Sequence, residues 1–235
     1  MSAADGAGAR VRAVLLDLDG TTVDTLPVTT AALDRAAGLL EMPVPRVDAF
    51  RTAAGLPSPP LLDRLGLPQG FVGHYLEAYV DLVELAVVVP GMVELARDLH
   101  TGGTSVAVVS GQDRTCARAL VKHAGLSWWV RATVTADTIP PEPPQEVLAR
   151  ACHELRVLPG EAVLVGDTVA DVRAAREIGM RTVAVSWGAG TRPALATAPW
   201  ALVDGVEELK QLLSLSVGTS TPAAKATRRR VGTGW

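Results

Sequence analysis

The chain is expected to be α/β, a doubly wound parallel sheet into which an all-helical domain is inserted, and three observations predict this. An apolar, β-compatible run near the N-terminus ends in a turn-rich Asp-Leu-Asp-Gly-Thr stretch. Helical segments broken by prolines follow, with no convincing strand between them. After Pro90-Gly91, short apolar strands and helices alternate for the rest of the patterned sequence. Alternation at such short spacing builds a parallel sheet wrapped by helices on both faces.

The first strand is expected over residues 12–17, feeding the turn Asp19-Gly20-Thr21-Thr22, as a buried strand running into a loop should. From residue 27 to about 87 the helical pattern is interrupted at Pro43, Pro45, Pro57, Pro59, Pro60, Gly66 and Pro68, which mark helix ends. The alternation then predicts a helix over 92–100, a strand over 104–109, a helix over 113–123 and a strand over 131–135. It continues with a helix over 146–155, a strand over 162–165, a helix over 169–178 and a strand over 182–185. A short strand near Ala201 and a helix from Val206 complete it. The core is thus assigned to residues 1–24 and 88–215, and the helical domain to 25–87. From residue 216 the chain is rich in Ser, Thr, Ala and Gly and ends in a basic cluster; this tail is expected to be disordered.

Hydrophobic residues make up 48% of the chain but aromatics only 4%, so the core must be built from Val, Leu and Ala, which suits buried parallel strands. Trp128 and Trp129 are expected to pack at the end of a core helix. The net charge is −3, and residues 215–235 hold four basic groups and no acid, so the remainder carries −7. Nucleic acid is therefore not an expected partner of the body. Cys116 and Cys152 fall in predicted helices and read as free thiols of a reducing cytoplasm. The N-terminus lacks an apolar leader core, and no apolar run approaches the roughly 18 residues that span a bilayer. A cytoplasmic protein with no membrane partner, a monomer or homodimer, is expected.

A ligand of such a sheet lies at the carboxyl ends of its strands. Asp17 and Asp19, one residue apart at the first strand's end, point to the same face of an extended chain. An ionised carboxylate buried there is costly unless a cation or hydrogen bonds compensate, which disfavours a packing role. The second strand ends in Ser110-Gly111-Gln112, whose hydroxyl and backbone N–H groups make a workable phosphate cradle. A Ser-Gly turn followed by Asp113 as helix N-cap also serves many other folds. Asp167 stands at the fourth strand's tip and Asp171 in the next helix's first turn. Each alone reads equally as a cap or a dipole-favoured acid. Converging at one sheet edge, these residues form an oxygen-rich site suited to Mg²⁺ rather than to zinc or copper.

Asp17-Leu-Asp19-Gly20-Thr21, Ser110, and Gly166-Asp167 with Asp171 resemble motifs one, two and four of the haloacid dehalogenase superfamily. The helical insertion resembles the cap of its phosphoglycolate phosphatase and β-phosphoglucomutase branch. The resemblance implies a Rossmann-like core with a helical cap, and a phosphatase acting on a small phosphorylated metabolite through an aspartyl-phosphate on Asp17. Asp19 would protonate the leaving alkoxide and later activate water. Mg²⁺ would be held by the Asp17 carboxylate, the Asp19 backbone carbonyl and Asp167, with Asp171 orienting it from the side. Ser110, Gly111 and Thr21 would hold the phosphoryl group. Hinge motion is expected around residues 24–27 and 87–91.

The motif-three lysine of that superfamily has no counterpart: counting back from Leu155 places Glu142 there, and the chain's three lysines, Lys122, Lys210 and Lys225, lie elsewhere. Three outcomes follow. Glu142 turns into solvent, Arg131 or Arg114 supplies the charge, or the site binds metal without efficient turnover. A degenerate binding or regulatory protein and a phosphomutase thus stand as alternatives to the phosphatase. Arg51, Arg64 and His74 are the cap candidates to contact a polar substrate, although each reads first as a solvated helix residue.

Overall fold

Strand β1 (Ala13–Asp17) occupies the middle of a parallel sheet because its first four residues, AVLL, are apolar and buried on both faces. In this computed structural model, which describes residues 10–46, 66–136, 143–196 and 199–217, five further strands complete the sheet. They are β4 (Ser105–Ser110), β5 (Ala132–Thr135), β6 (Ala162–Gly166), β7 (Arg181–Val185) and β8 (Ala201–Val203). Their order is β5-β4-β1-β6-β7-β8, all parallel. The chain therefore winds outwards from β1 in both senses, and the order reverses beside β1, where such sheets open a crevice at their carboxyl ends.

The two-residue period of the strands sends alternate side chains into two separate cores. Val14 and Leu16 join Val106, Val108, Val163 and Val165 on one face. Ala13 and Leu15 join Ala107, Val109, Ala162 and Leu164 on the other. Each fully buried Leu contributes about 1.5–3 kcal/mol over its exposed state.

The core helices are α3 (Met92–Thr101), α4 (Arg114–His123), α5 (Pro144–Leu155), α6 (Val169–Glu177), the four-residue α7 (Arg192–Leu195) and, after the last strand, α8 (Val206–Val217). These core elements begin and end within two residues of the predicted ones, α7 excepted. Asp113 caps α4 as its sequence suggests, its carboxylate accepting the Thr115 N–H at 2.7 Å. On α6, Thr168 and Asp171 form a reciprocal capping box.

The inserted helices described are α1 (Leu26–Leu39) and α2 (Gln69–Asp81). They pack on one another, and α2 also touches α4. Their inward faces, Ala32, Leu33, Ala36 and Ala37 with Phe71, Tyr75, Ala78 and Tyr79, belong to the same apolar cluster as the Val14 face of the sheet. An Arg35–Asp81 pair at 3.1 Å on the surface adds little.

The sequence pattern did not reveal β2 (Val23–Asp24) and β3 (Val87–Val88), two-residue strands that pair antiparallel, Val23 with Val88 and Asp24 with Val87. They carry the chain into and out of the inserted helices, and the Val89 N–H donates to the Thr22 carbonyl at 3.0 Å. Nor does Trp128 pack as expected. It is 84% exposed, and only Trp129 lies against the core, its ring edge-on to His100 at 6.0 Å. Cys116 and Cys152 are free and buried. No helix among the described residues is long and apolar enough to cross a membrane.

Candidate active site

The carboxyl ends of β1, β4 and β6 converge because the register aligns Asp17 with Val109 and Leu16 with Val165. Asp17 ends β1, Ser110 ends β4, and Asp167 follows β6 directly. Asp17, Asp167 and Asp171 each offer a carboxylate oxygen, and these oxygens lie within 4.8 Å of one another.

Like charges so close strain the ionised state. Burial first, then the charges of Asp171, Asp167 and Asp19, push Asp17 well above the usual carboxylate range. Asp167, wholly enclosed, is raised chiefly by burial, against the hydrogen bonds from the Ala189 N–H and the Thr21 hydroxyl. Burial pushes Asp171 up to about 6. An all-oxygen set crowded in this way is what a hard divalent cation relieves, and the residues present fit Mg²⁺.

The Asp19 side chain takes a different course. Its Oδ1 accepts from Thr25 Oγ1 at 2.8 Å and from Gln112 Nε2, and its Oδ2 accepts from Ser110 Oγ at 3.1 Å. Burial raises its proton affinity, while these three neutral donors lower it. Two carboxylates two residues apart therefore occupy distinct environments, one among acids and one among hydroxyls and an amide.

Close backbone packing surrounds Asp167. Gly20 sits at φ +80°, a left-handed conformation that favours glycine, and a Cβ there would come within 2.6 Å of Asp167 Oδ2. At Gly188 a Cβ would fall 2.1 Å from the same oxygen. The intervening Ala189 N–H donates to Oδ2 at 2.5 Å, and Trp187 Nε1 donates to the Thr21 carbonyl at 3.0 Å. This loop after β7 escaped the sequence reading, although its Trp-Gly-Ala-Gly composition marked a place of close backbone approach.

Of the other predicted residues, Gly111 lies partly exposed beside Ser110. Thr21, expected among the phosphate holders, is fully buried and gives its hydroxyl to Asp167 Oδ1 at 3.1 Å; its side chain supports the carboxylate cluster. His74 is half-buried on α2. Arg51, Arg64 and Glu142 lie outside the described residues. Arg131 cannot stand in for the absent lysine. Its Nη1 donates to Ser105 Oγ at 3.3 Å, and Ser105 opens β4 at the edge opposite Ser110, roughly 17 Å away at strand rise. Arg114 begins α4 and borders the correct edge.

Residues 11–179 match the model of the haloacid dehalogenase-like hydrolases, and the chain belongs to that family. The relatives agree. The plasmid-borne phosphoglycolate phosphatase of Cupriavidus necator is 33% identical, over 86% of this chain and 93% of its own. The phosphoglycolate phosphatase of Pseudomonas fluorescens is 30% identical, over 92% and 82%. Among solved structures, a predicted phosphatase from Clostridium acetobutylicum superposes with a TM-score of 0.71 at 19% identity, over 88% of this chain and 99% of its own. CbbY from Rhodobacter sphaeroides, in complex with phosphate, gives 0.69 at 22% identity, over 85% and 96%; both share the fold. Within the family, this chain is a phosphoric monoester hydrolase.

Proposed function

We propose that the chain is a Mg²⁺-dependent phosphatase that hydrolyses a small phosphorylated metabolite, phosphoglycolate or a close analogue, through a covalent intermediate on Asp17. The observation that carries this is the divergence of Asp17 and Asp19: one oxygen set is gathered with Asp167 and Asp171, the other is held apart by Thr25, Ser110 and Gln112. Adjacent carboxylates in unlike surroundings can take unlike roles. The substrate class follows the names of the curated relatives.

In this reading an Asp17 oxygen attacks phosphorus as the ester P–O bond breaks, and Asp19 delivers a proton to the departing oxygen. A water then attacks the phosphoaspartate, Asp19 takes its proton, and inorganic phosphate leaves with Asp17 restored. The Ser110 hydroxyl and the Gly111 N–H bind the phosphoryl oxygens, so Ser110 exchanges its bond to Asp19 for one to substrate. Asp17, Asp167 and the Asp19 backbone carbonyl would hold Mg²⁺, with Asp171 orienting its waters. When bound, that ion supplies the positive charge that offsets repulsion between an anionic nucleophile and an anionic phosphate. Residues 1–24 with 88–215 form the catalytic core, residues 25–87 the cap that selects substrate, and the paired β2 and β3 the two crossings about which it swings.

The test is Mg²⁺-dependent phosphate release from a panel of phosphoglycolate, three-carbon, sugar and nucleotide monophosphates. Wild type should turn over at least one small acid phosphate, EDTA should stop it, and Asp17→Asn should abolish it. Release that persists in Asp17→Asn, or none across the panel with Mg²⁺ bound, would sink the reading.

A further inference from the structure

Gln112, on the turn from β4 into α4, touches no reacting atom in the steps above beyond its bond to Asp19, yet it is a polar side chain only 6% exposed. Its backbone N–H donates to Ser110 Oγ at 3.0 Å. Its side-chain Nε2 donates to Asp19 Oδ1 and also to the Tyr79 hydroxyl oxygen at 2.9 Å. Tyr79 lies on α2, in the inserted domain, and is fully buried.

Among the described residues, Gln112 Oε1 is the buried side-chain atom without a hydrogen-bond partner. Set nitrogen-first, the amide commits both of its N–H groups, one to Asp19 Oδ1 and one to the Tyr79 oxygen. The orphaned oxygen is the consequence of that commitment. Of the three donors to Asp19, Thr25 opens α1 and Ser110 belongs to the core. Gln112 alone among them uses a second N–H to reach α2.

We propose that Gln112 is a positioning residue that ties the orientation of the Asp19 carboxylate to the seating of α2, through Tyr79. This rests on the assignment of Asp19 as proton donor to the leaving group. With Tyr79 in place, the Gln112 amide is clamped at both N–H groups and holds Oδ1 in one direction. Without Tyr79 or the amide, Thr25 still binds the carboxylate, but Oδ1 loses the bond that aims it. The defect falls on proton delivery and leaves phosphate binding to Ser110 and Gly111 intact.

The experiment compares kcat/KM for two substrates, which reports on transfer to Asp17. Phosphoglycolate has an alkoxide leaving group that needs a proton, whereas p-nitrophenyl phosphate departs with little help. Gln112→Leu should lower kcat/KM for phosphoglycolate by about a hundredfold, the scale of general acid catalysis, and for p-nitrophenyl phosphate by less than about threefold. Tyr79→Phe, which removes only an oxygen, should show the same selectivity with a smaller loss, and the double variant should be no worse than Gln112→Leu. Equal losses on both substrates, or additive losses in the double variant, would overturn the inference. Thermal melts check folding, and Tyr79→Phe carries the test if Gln112→Leu does not fold. A wild type that hydrolyses neither ester removes the proton-donor assignment itself, and this inference with it.

Discussion

Thr21 Oγ1 donates to Asp167 Oδ1 at 3.1 Å, joining the loop after β1 to the tip of β6 across 146 residues of sequence. Both partners are wholly buried, so bulk water does not compete for the bond. The bond holds the first and fourth motif regions in one geometry.

Thr21→Val conserves shape and removes the donor. Loss of a buried hydrogen bond to a charged group should destabilise the fold by about 1.5–3 kcal/mol. Mg²⁺ affinity should fall about 10–100-fold, as when a supporting partner of a metal ligand is lost. Thermal melting and a calorimetric Mg²⁺ titration check both, and an unchanged affinity would make the bond purely structural.

Gly188→Ala adds a methyl that would lie 2.1 Å from Asp167 Oδ2. Asp167 is pinned by Ala189 and Thr21 and cannot retreat into solvent. We expect overpacking of about 1–3 kcal/mol together with loss of Mg²⁺-dependent turnover. A variant as stable and active as wild type would mean that the loop after β7 yields easily.

The metal-free protein should grow less stable as pH rises. Asp171 is pushed up to about 6, and Asp17 and Asp167 are raised, so the folded state binds protons that the unfolded chain has already lost. Stability is then greatest below the ordinary carboxylate range and declines as pH climbs through about 6. Melting temperature in EDTA should drop by several degrees between pH 5 and pH 7, about 2–4 °C per kcal/mol for a chain of this size. Mg²⁺ at pH 7 should restore it. A flat profile would show that the carboxylates are relieved in another way.

Arg131→Ala should leave kcat/KM and Mg²⁺ affinity unchanged, because its guanidinium pairs with Ser105 at the far edge of the sheet. A loss of more than about threefold, above what an exposed polar contact contributes, would place a cation at the site by a route this geometry does not allow.

The architecture was legible because parallel strands buried on both faces must be apolar along their length, and AVLLD, SVAVVS and AVLVG are so except at their ends. Their ends were legible by convergence: carboxylates and a serine close three separate strands, although Ser110, Asp167 and Asp171 each alone read as a turn or cap. The two-residue strands β2 and β3 were not, since two residues carry no period; they exist because the crossings into and out of α1 and α2 run side by side. Trp128 misled because an aromatic pair looks buried in sequence, whereas the turn after α4 points only Trp129 inward.

The sequence by itself determined the sheet, its winding and the acids at its carboxyl edge, since those follow from hydrophobic period and local turn chemistry. Tertiary structure alone decided what each acid meets. Thr21, Ala189 and Gly188 around Asp167, and Thr25, Ser110, Gln112 and Tyr79 around Asp19, are brought together from distant segments by strand register and helix packing. Strand direction likewise sent Arg131 to the wrong end. Local pattern specifies which residues an element presents, and only the closed fold specifies which of them come within hydrogen-bonding distance.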